Sequence, residues 1–173
     1  MSMTFASALF IAWAATVVGC DLRNRRVPNR LVMAGVTVAL ACAALHASPF
    51  AIVITQAAYG AVAGCFVLLP FFLLGVMGAA DVKVFAVLGA WCGVSALLDL
   101  WVMASIAAGV HAFALIAAAR ARSRATWAPA RSRWRSAQPT FAVAGRRATP
   151  YAALLCCAAM AHWLGAVARG AAT

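Results

Sequence analysis

The run LVMAGVTVALACAALHASPFAIVITQAAYGAVAGCFVLLPFFLLGVMGAA, residues 31–80, holds fifty consecutive residues without an Asp, Glu, Lys or Arg. About 20 apolar residues of helix cross the hydrocarbon of a bilayer, so this run is too long for one crossing. It reads as two spans, about 31–46 and 50–77, broken at His46-Ala47-Ser48-Pro49. The second contains Pro70, Gly75 and Gly78. A proline inside a helix removes a backbone hydrogen bond, and nearby glycines ease departure from helical geometry. The spacing predicts a bent or unwound segment just before Asp81.

Outward from this run the pattern repeats. Met1 to Cys20 is uncharged and forms a first span over about 4–20. Val17-Val18-Gly19-Cys20 looks like a lipoprotein processing box, but a signal peptide carries its basic residues before the apolar core. Here Arg23, Arg25, Arg26 and Arg30 follow it. That asymmetry makes the run a retained span with its N-terminus outside and Asp21 in the cytoplasm. Downstream, spans over about 84–98 and 100–119 are expected, with Asp99 at their turn. A basic cytoplasmic loop, 120–147, then carries eight arginines, Pro129 and Pro139, and is expected to meet anionic lipid headgroups. A last span follows over about 148–168.

Composition agrees. The chain has 173 residues, of which 66% are hydrophobic and 10% charged, with a mean hydropathy of +0.96. A soluble domain averages roughly 45–50% apolar and about 25% charged residues, so lipid is the main solvent here. The fold class expected is an all-α polytopic membrane protein of about six transmembrane helices, a single membrane domain over 1–173 with both termini outside. Loops after spans one, three and five hold thirteen of the fourteen basic residues, leaving only Arg169 on the other side. The net charge of +11 is therefore read as topology-setting, and no nucleic-acid partner is expected. The six cysteines lie mostly within apolar runs and form no C-x-x-C pair, so they read as small hydrophobes. No metal site and no cofactor are expected.

Only three residues are acidic: Asp21, Asp81 and Asp99. Charge at a membrane-embedded position is costly and marks function by default. Asp21 follows one span and Asp81 follows three, so parity puts both on one face. Two nearby carboxylates cannot both ionise cheaply, so one keeps a proton while the other stays charged. Such a pair can take a proton from water and give one to a carbonyl oxygen. The plainer readings are a helix N-cap for Asp81 and an interfacial salt bridge to the neighbouring arginines for Asp21. Asp99 reads as a solvated turn residue. His46 and His162 read as residues near span ends, and His111 as a helix-packing residue. Lys83 either tunes Asp81 or marks the cytoplasmic boundary by reaching toward headgroups; the boundary role is favoured.

Several of these pieces occur in the order seen in one family. Asp21 followed by Arg26-Val27-Pro28-Asn29 resembles the first catalytic Asp of the type IV prepilin leader peptidases and its basic, Ile/Val-Pro-Asn sequel. Gly78-Ala79-Ala80-Asp81-Val82-Lys83, with Gly89 and Gly93 beyond, resembles their second motif, G-x-G-D. Arg147-Ala148-Thr149-Pro150-Tyr151 is similar to their approach to the last helix. The likeness covers most of the chain and leaves the arginine loop without a counterpart. One position departs: the second motif glycine is Ala80, where glycine would permit positive φ or close backbone approach.

The resemblance implies a membrane-embedded aspartic endopeptidase with catalytic Asp21 and Asp81. Its substrate would be the helix of a prepilin or pseudopilin, cut at the cytoplasmic face of a bacterial inner membrane. The extra domain and paired cysteines of the bifunctional members are missing, so no methyltransferase activity is expected. The chain resembles the short, peptidase-only form of Flp-type (tight adherence) pilus systems. Two other classes stay open: a proton- or ion-coupled transporter, and an inactive scaffold of a pilus or secretion assembly. Oligomeric state is not legible.

Overall fold

A computed structural model describes residues 5–24, 26–125 and 150–170 of the chain. Among the described residues there are six α-helices and no strand: α1 (Phe5–Asn24), α2 (Asn29–Ala44), α3 (Ile54–Leu73), α4 (Ala79–Cys92), α5 (Val94–Ala125) and α6 (Tyr151–Ala168). Four segments are long and apolar enough to cross a membrane: α1, α3, Val94–Ala118 of α5, and α6. Helices α2 and α4, with 16 and 14 residues, fall short of that length. The protein is a multi-pass membrane protein of all-helical fold. The chain divides into two compact units, Met1–Ser105 with Pro150–Thr173, and Ile106–Thr149. Within the second, the described residues are the later part of α5.

In the first unit α4 is the helix around which the others pack. Nine of its residues are buried, among them Val84, Phe85, Val87, Leu88 and Trp91. A helix that is apolar all round must be enclosed, and α2, α3 and α6 enclose it. Lipid is as apolar as a leucine side chain, so close packing rather than escape from water draws these helices together. The contact with α3 is made by small residues. A Cβ built on Gly60 would overlap the Gly89 carbonyl, one on Gly89 would overlap the Gly60 carbonyl, and one on Gly64 would meet the Phe85 carbonyl. The spacings Gly60-x-x-x-Gly64 and Gly89-x-x-x-Gly93 thus lay backbone on backbone. Gly35 of α2 does the same for the Trp13 and Val87 side chains, and Trp13 Nε1 donates to the Leu31 carbonyl at 3.0 Å.

The breaks follow the sequence in part. Helix α2 ends at Ala44, and His46 (φ 52°) turns the chain where the His46–Pro49 break was expected. The segment before Asp81 is unwound as predicted: α3 ends at Leu73, Gly75 has φ 70°, and α4 begins at Ala79.

The division at Asp99 was wrong. The turn falls at Gly93 (φ 78°), which ends α4, and Asp99 lies exposed within α5. Glycine takes a positive φ without steric cost, whereas an exposed Asp does not interrupt a helix. The spans expected over 84–98 and 100–119 are therefore replaced by helices ending at Cys92 and beginning at Val94. The loop expected to start at Arg120 also starts later, because α5 remains helical through Ala125. The rest of that loop, 126–147, lies outside the described residues.

Candidate active site

Asp21 occupies the last turn of α1, where its own helix offers the negative end of the dipole. It is nonetheless buried, with 5% of its surface exposed. What holds it there is another helix: its Oδ2 accepts the Ala153 N–H at 2.8 Å. Pro150 is the residue before α6, so Tyr151, Ala152 and Ala153 form the first turn. Amides in a first turn have no partner within their helix and carry the positive end of its dipole. The salt bridge weighed for Asp21 is not present among the described residues. Arg25 lies outside them.

Asp81 lies in the first turn of α4, outside the four candidate spans. Its Oδ2 accepts the Gly78 N–H at 3.2 Å, closing the start of α4. The N-cap reading is corrected in position: Gly78 is the N-cap, and Asp81 closes the turn from three residues on. Capping does not exhaust its role. Burial, chiefly, pushes the Asp81 carboxyl up to about 6; the Asp21 charge pushes the same way, against hydrogen bonds from the Gly78 and Ala152 amides. The Ala153 amide thus holds Asp21 directly, the neighbouring Ala152 amide favours the charged form of Asp81, and each carboxylate lies within the other's field.

Three neighbours complete this end of the unit. Lys83 Nζ donates to Asn29 Oδ1 at 2.8 Å, tying the N-terminal part of α4 to the start of α2. The favoured reading of Lys83, a reach toward headgroups, missed this bond, and Lys83 is not among the influences on Asp81. The Tyr151 hydroxyl is 3.0 Å from Ser105 Oγ of α5. Ala80 is helical and packs against the core, so the structure asks for no positive φ where the motif glycine is replaced.

The remaining polar residues stand apart from the pair. His46 is at the α2–α3 turn, and His162 stacks on Phe50 with centroids 6.1 Å apart. His111 and Asp99 are exposed on α5. All six cysteines are free thiols, and Cys42, Cys92 and Cys156 are buried. Among the described residues no three His, Cys, Asp or Glu side chains converge as metal ligands would.

A model of the type IV leader peptidase family matches residues 8–113, most of the chain's length, including both carboxylates and both of their motifs. The chain belongs to this family. Neither a curated protein nor a solved structure matched it. Family membership marks the protein as a membrane protease by descent and gives the paired carboxylates a chemical context. The match stops short of α6, yet α6 supplies the amides that hold the pair.

Sequence reasoning paired Asp21 with Asp81, and in the structure the Asp21 charge acts on Asp81. It missed the α6 amides, the Lys83–Asn29 bond and the Tyr151–Ser105 pair. The first had a readable signal. A proline opening a helix leaves the next amides unpaired, and Pro150 stands there.

Proposed function

We propose that this leader peptidase is a membrane-embedded aspartic endopeptidase that removes the leader of a Flp-like type IV prepilin. Asp21 and Asp81 are its catalytic dyad, with no metal, cofactor or methyltransferase activity. It works at the cytoplasmic face of a bacterial inner membrane, in a chain of six spans with both termini outside. One observation carries the reading: two carboxylates from separate helices, Asp21 and Asp81, lie in each other's field at the start of α6, where the Ala153 amide donates to Asp21.

In this arrangement the pair holds one proton. The ionised carboxylate accepts a proton from water as its oxygen attacks the scissile carbonyl carbon. The protonated one gives its proton to the carbonyl oxygen, and the tetrahedral intermediate then collapses with protonation of the leaving amine. The α6 amides donate hydrogen bonds there and keep their own protons. The substrate is a pilin precursor whose own apolar helix lies in the same bilayer, so its leader junction meets the dyad at membrane depth.

The test is co-expression with a Flp-type prepilin and a gel for leader loss. Asp21→Asn and Asp81→Asn should each nearly abolish cleavage while the protein still inserts. Because the two act as a unit, the double variant should be hardly worse than either single one. Asn keeps a side-chain oxygen that can accept the Gly78 N–H, so an Asp81 that only closes the first turn would tolerate the change. Normal leader removal by Asp81→Asn at matched protein levels would leave an assembly scaffold as the better account.

A further inference from the structure

The dyad does not use the hydroxyl pair beside it. Tyr151 opens α6, immediately before the two alanines whose amides serve Asp81 and Asp21. Its phenol is partly buried, and the Asp81 charge reaches it. Ser105 meets it from α5, at 3.0 Å between oxygens. The same stretch of α5 sets Trp101 against Phe71, centroids 6.4 Å apart. The Phe71 carbonyl in turn accepts the Val76 and Met77 amides of the turn leading to Asp81. So α5 touches the end of α3 that leads into the Asp81 turn and presents a hydroxyl to Tyr151.

Counting donors shows what the pair has left. Two hydroxyls bring two O–H groups, and one hydrogen bond between them uses one. Either hydroxyl can donate, and when Ser105 does, the Tyr151 O–H is the one left over. A protonated donor next to a dyad suits the atom on which negative charge grows during hydrolysis, the scissile carbonyl oxygen.

We infer that the Tyr151 hydroxyl, held in place by Ser105, is a third catalytic group that donates a hydrogen bond to the scissile carbonyl oxygen. The inference rests on the protease reading above. No bond to Tyr151 forms or breaks, and it keeps its proton. Water's oxygen bonds to the carbonyl carbon, its proton passes to the ionised carboxylate, and the carbonyl oxygen takes the proton of the other. The phenol steadies that oxygen while the charge is on it. Ser105 acts only through Tyr151 and is a positioning residue. The rival account is a strut, a bond whose whole role is to join α5 to α6.

The full-length protein, purified in detergent, is assayed on a purified Flp-type prepilin for kcat, KM and Tm. Tyr151→Phe should lower kcat on the order of 100-fold, the usual cost of one oxyanion donor, with KM and Tm little changed. Ser105→Ala should lower kcat by less, because the phenol remains. A strut predicts the opposite pattern: equal effects of the two changes, seen in Tm. Equal effects, or wild-type kcat in Tyr151→Phe beside an active wild type, overturn the inference alone. Should Tyr151→Phe fail to insert, Ser105→Ala decides, and an unchanged kcat overturns the inference. A wild-type chain that leaves the leader in place sinks the protease reading and this inference with it.

Discussion

At the residue scale the pair is asymmetric. Asp21 is buried and held by the Ala153 amide, whereas Asp81 is only partly covered and its carboxyl is raised to about 6. An aspartate raised above its usual value is favoured in its protonated form in the folded state. Any stability this lends is present at low pH and fades as pH rises through about 6. Catalysis by a pair that must hold one proton follows the same direction. We therefore expect kcat/KM for leader cleavage to fall as pH rises through about 6, approaching tenfold per pH unit, the macroscopic value belonging to the pair. A rate that stays flat from pH 5.5 to 8 would show that no such proton is needed. Both carboxylates were legible in the sequence because an acid is rare in an apolar chain. The cause of their convergence was not, since backbone amides have no letter of their own. Ala80 teaches the same lesson in reverse. The departure from the motif looked costly, yet in a helical first turn alanine is favoured over glycine by up to about 1 kcal/mol.

At the element scale, the depth of α4 depends on backbone contact with α3. The Gly60–Gly89 crossing leaves no room for a methyl group, so Gly89→Ala should force the helices apart. Overpacking of this kind costs about 1–3 kcal/mol, and it would also shift the turn that carries Asp81. We expect a lowered Tm in detergent together with reduced cleavage. Gly109→Ala on α5 is the control, with nothing within 4 Å of the added atom. It should be neutral or stabilising, since alanine is the better helix former. Equal behaviour of the two variants would mean that the crossing is not tight. These helices were legible as apolar runs, and the unwinding before Asp81 was legible from Pro70, Gly75 and Gly78. The α4–α5 boundary was misjudged because a charge was weighed above a glycine. Gly93 turns the chain by its φ, which a hydropathy pattern does not register.

At the scale of the whole molecule, length and charge set the question of topology. A 14-residue helix is about 21 Å long, short of the roughly 30 Å hydrocarbon core. Helix α4 is enclosed by α2, α3 and α6, so its ends need not meet lipid directly. The distribution of basic residues, thirteen of fourteen in alternate connections, argues that α2 and α4 cross nonetheless. Reporter fusions after Asp21, after Lys83 and within 126–147 should report cytoplasm, and a fusion at Gly93 should report the outside. A Gly93 fusion on the same side as Lys83 would remove α4 from the count and break the parity argument.

The order of synthesis gives the α6 amides one more consequence. A ribosome delivers Asp21 with the first helix and Asp81 with the fourth, but Ala152 and Ala153 emerge only with the sixth. Until that helix enters the bilayer, neither carboxylate has its α6 donor. Leader cleavage by the proposed dyad is therefore expected only after the sixth helix has entered the bilayer.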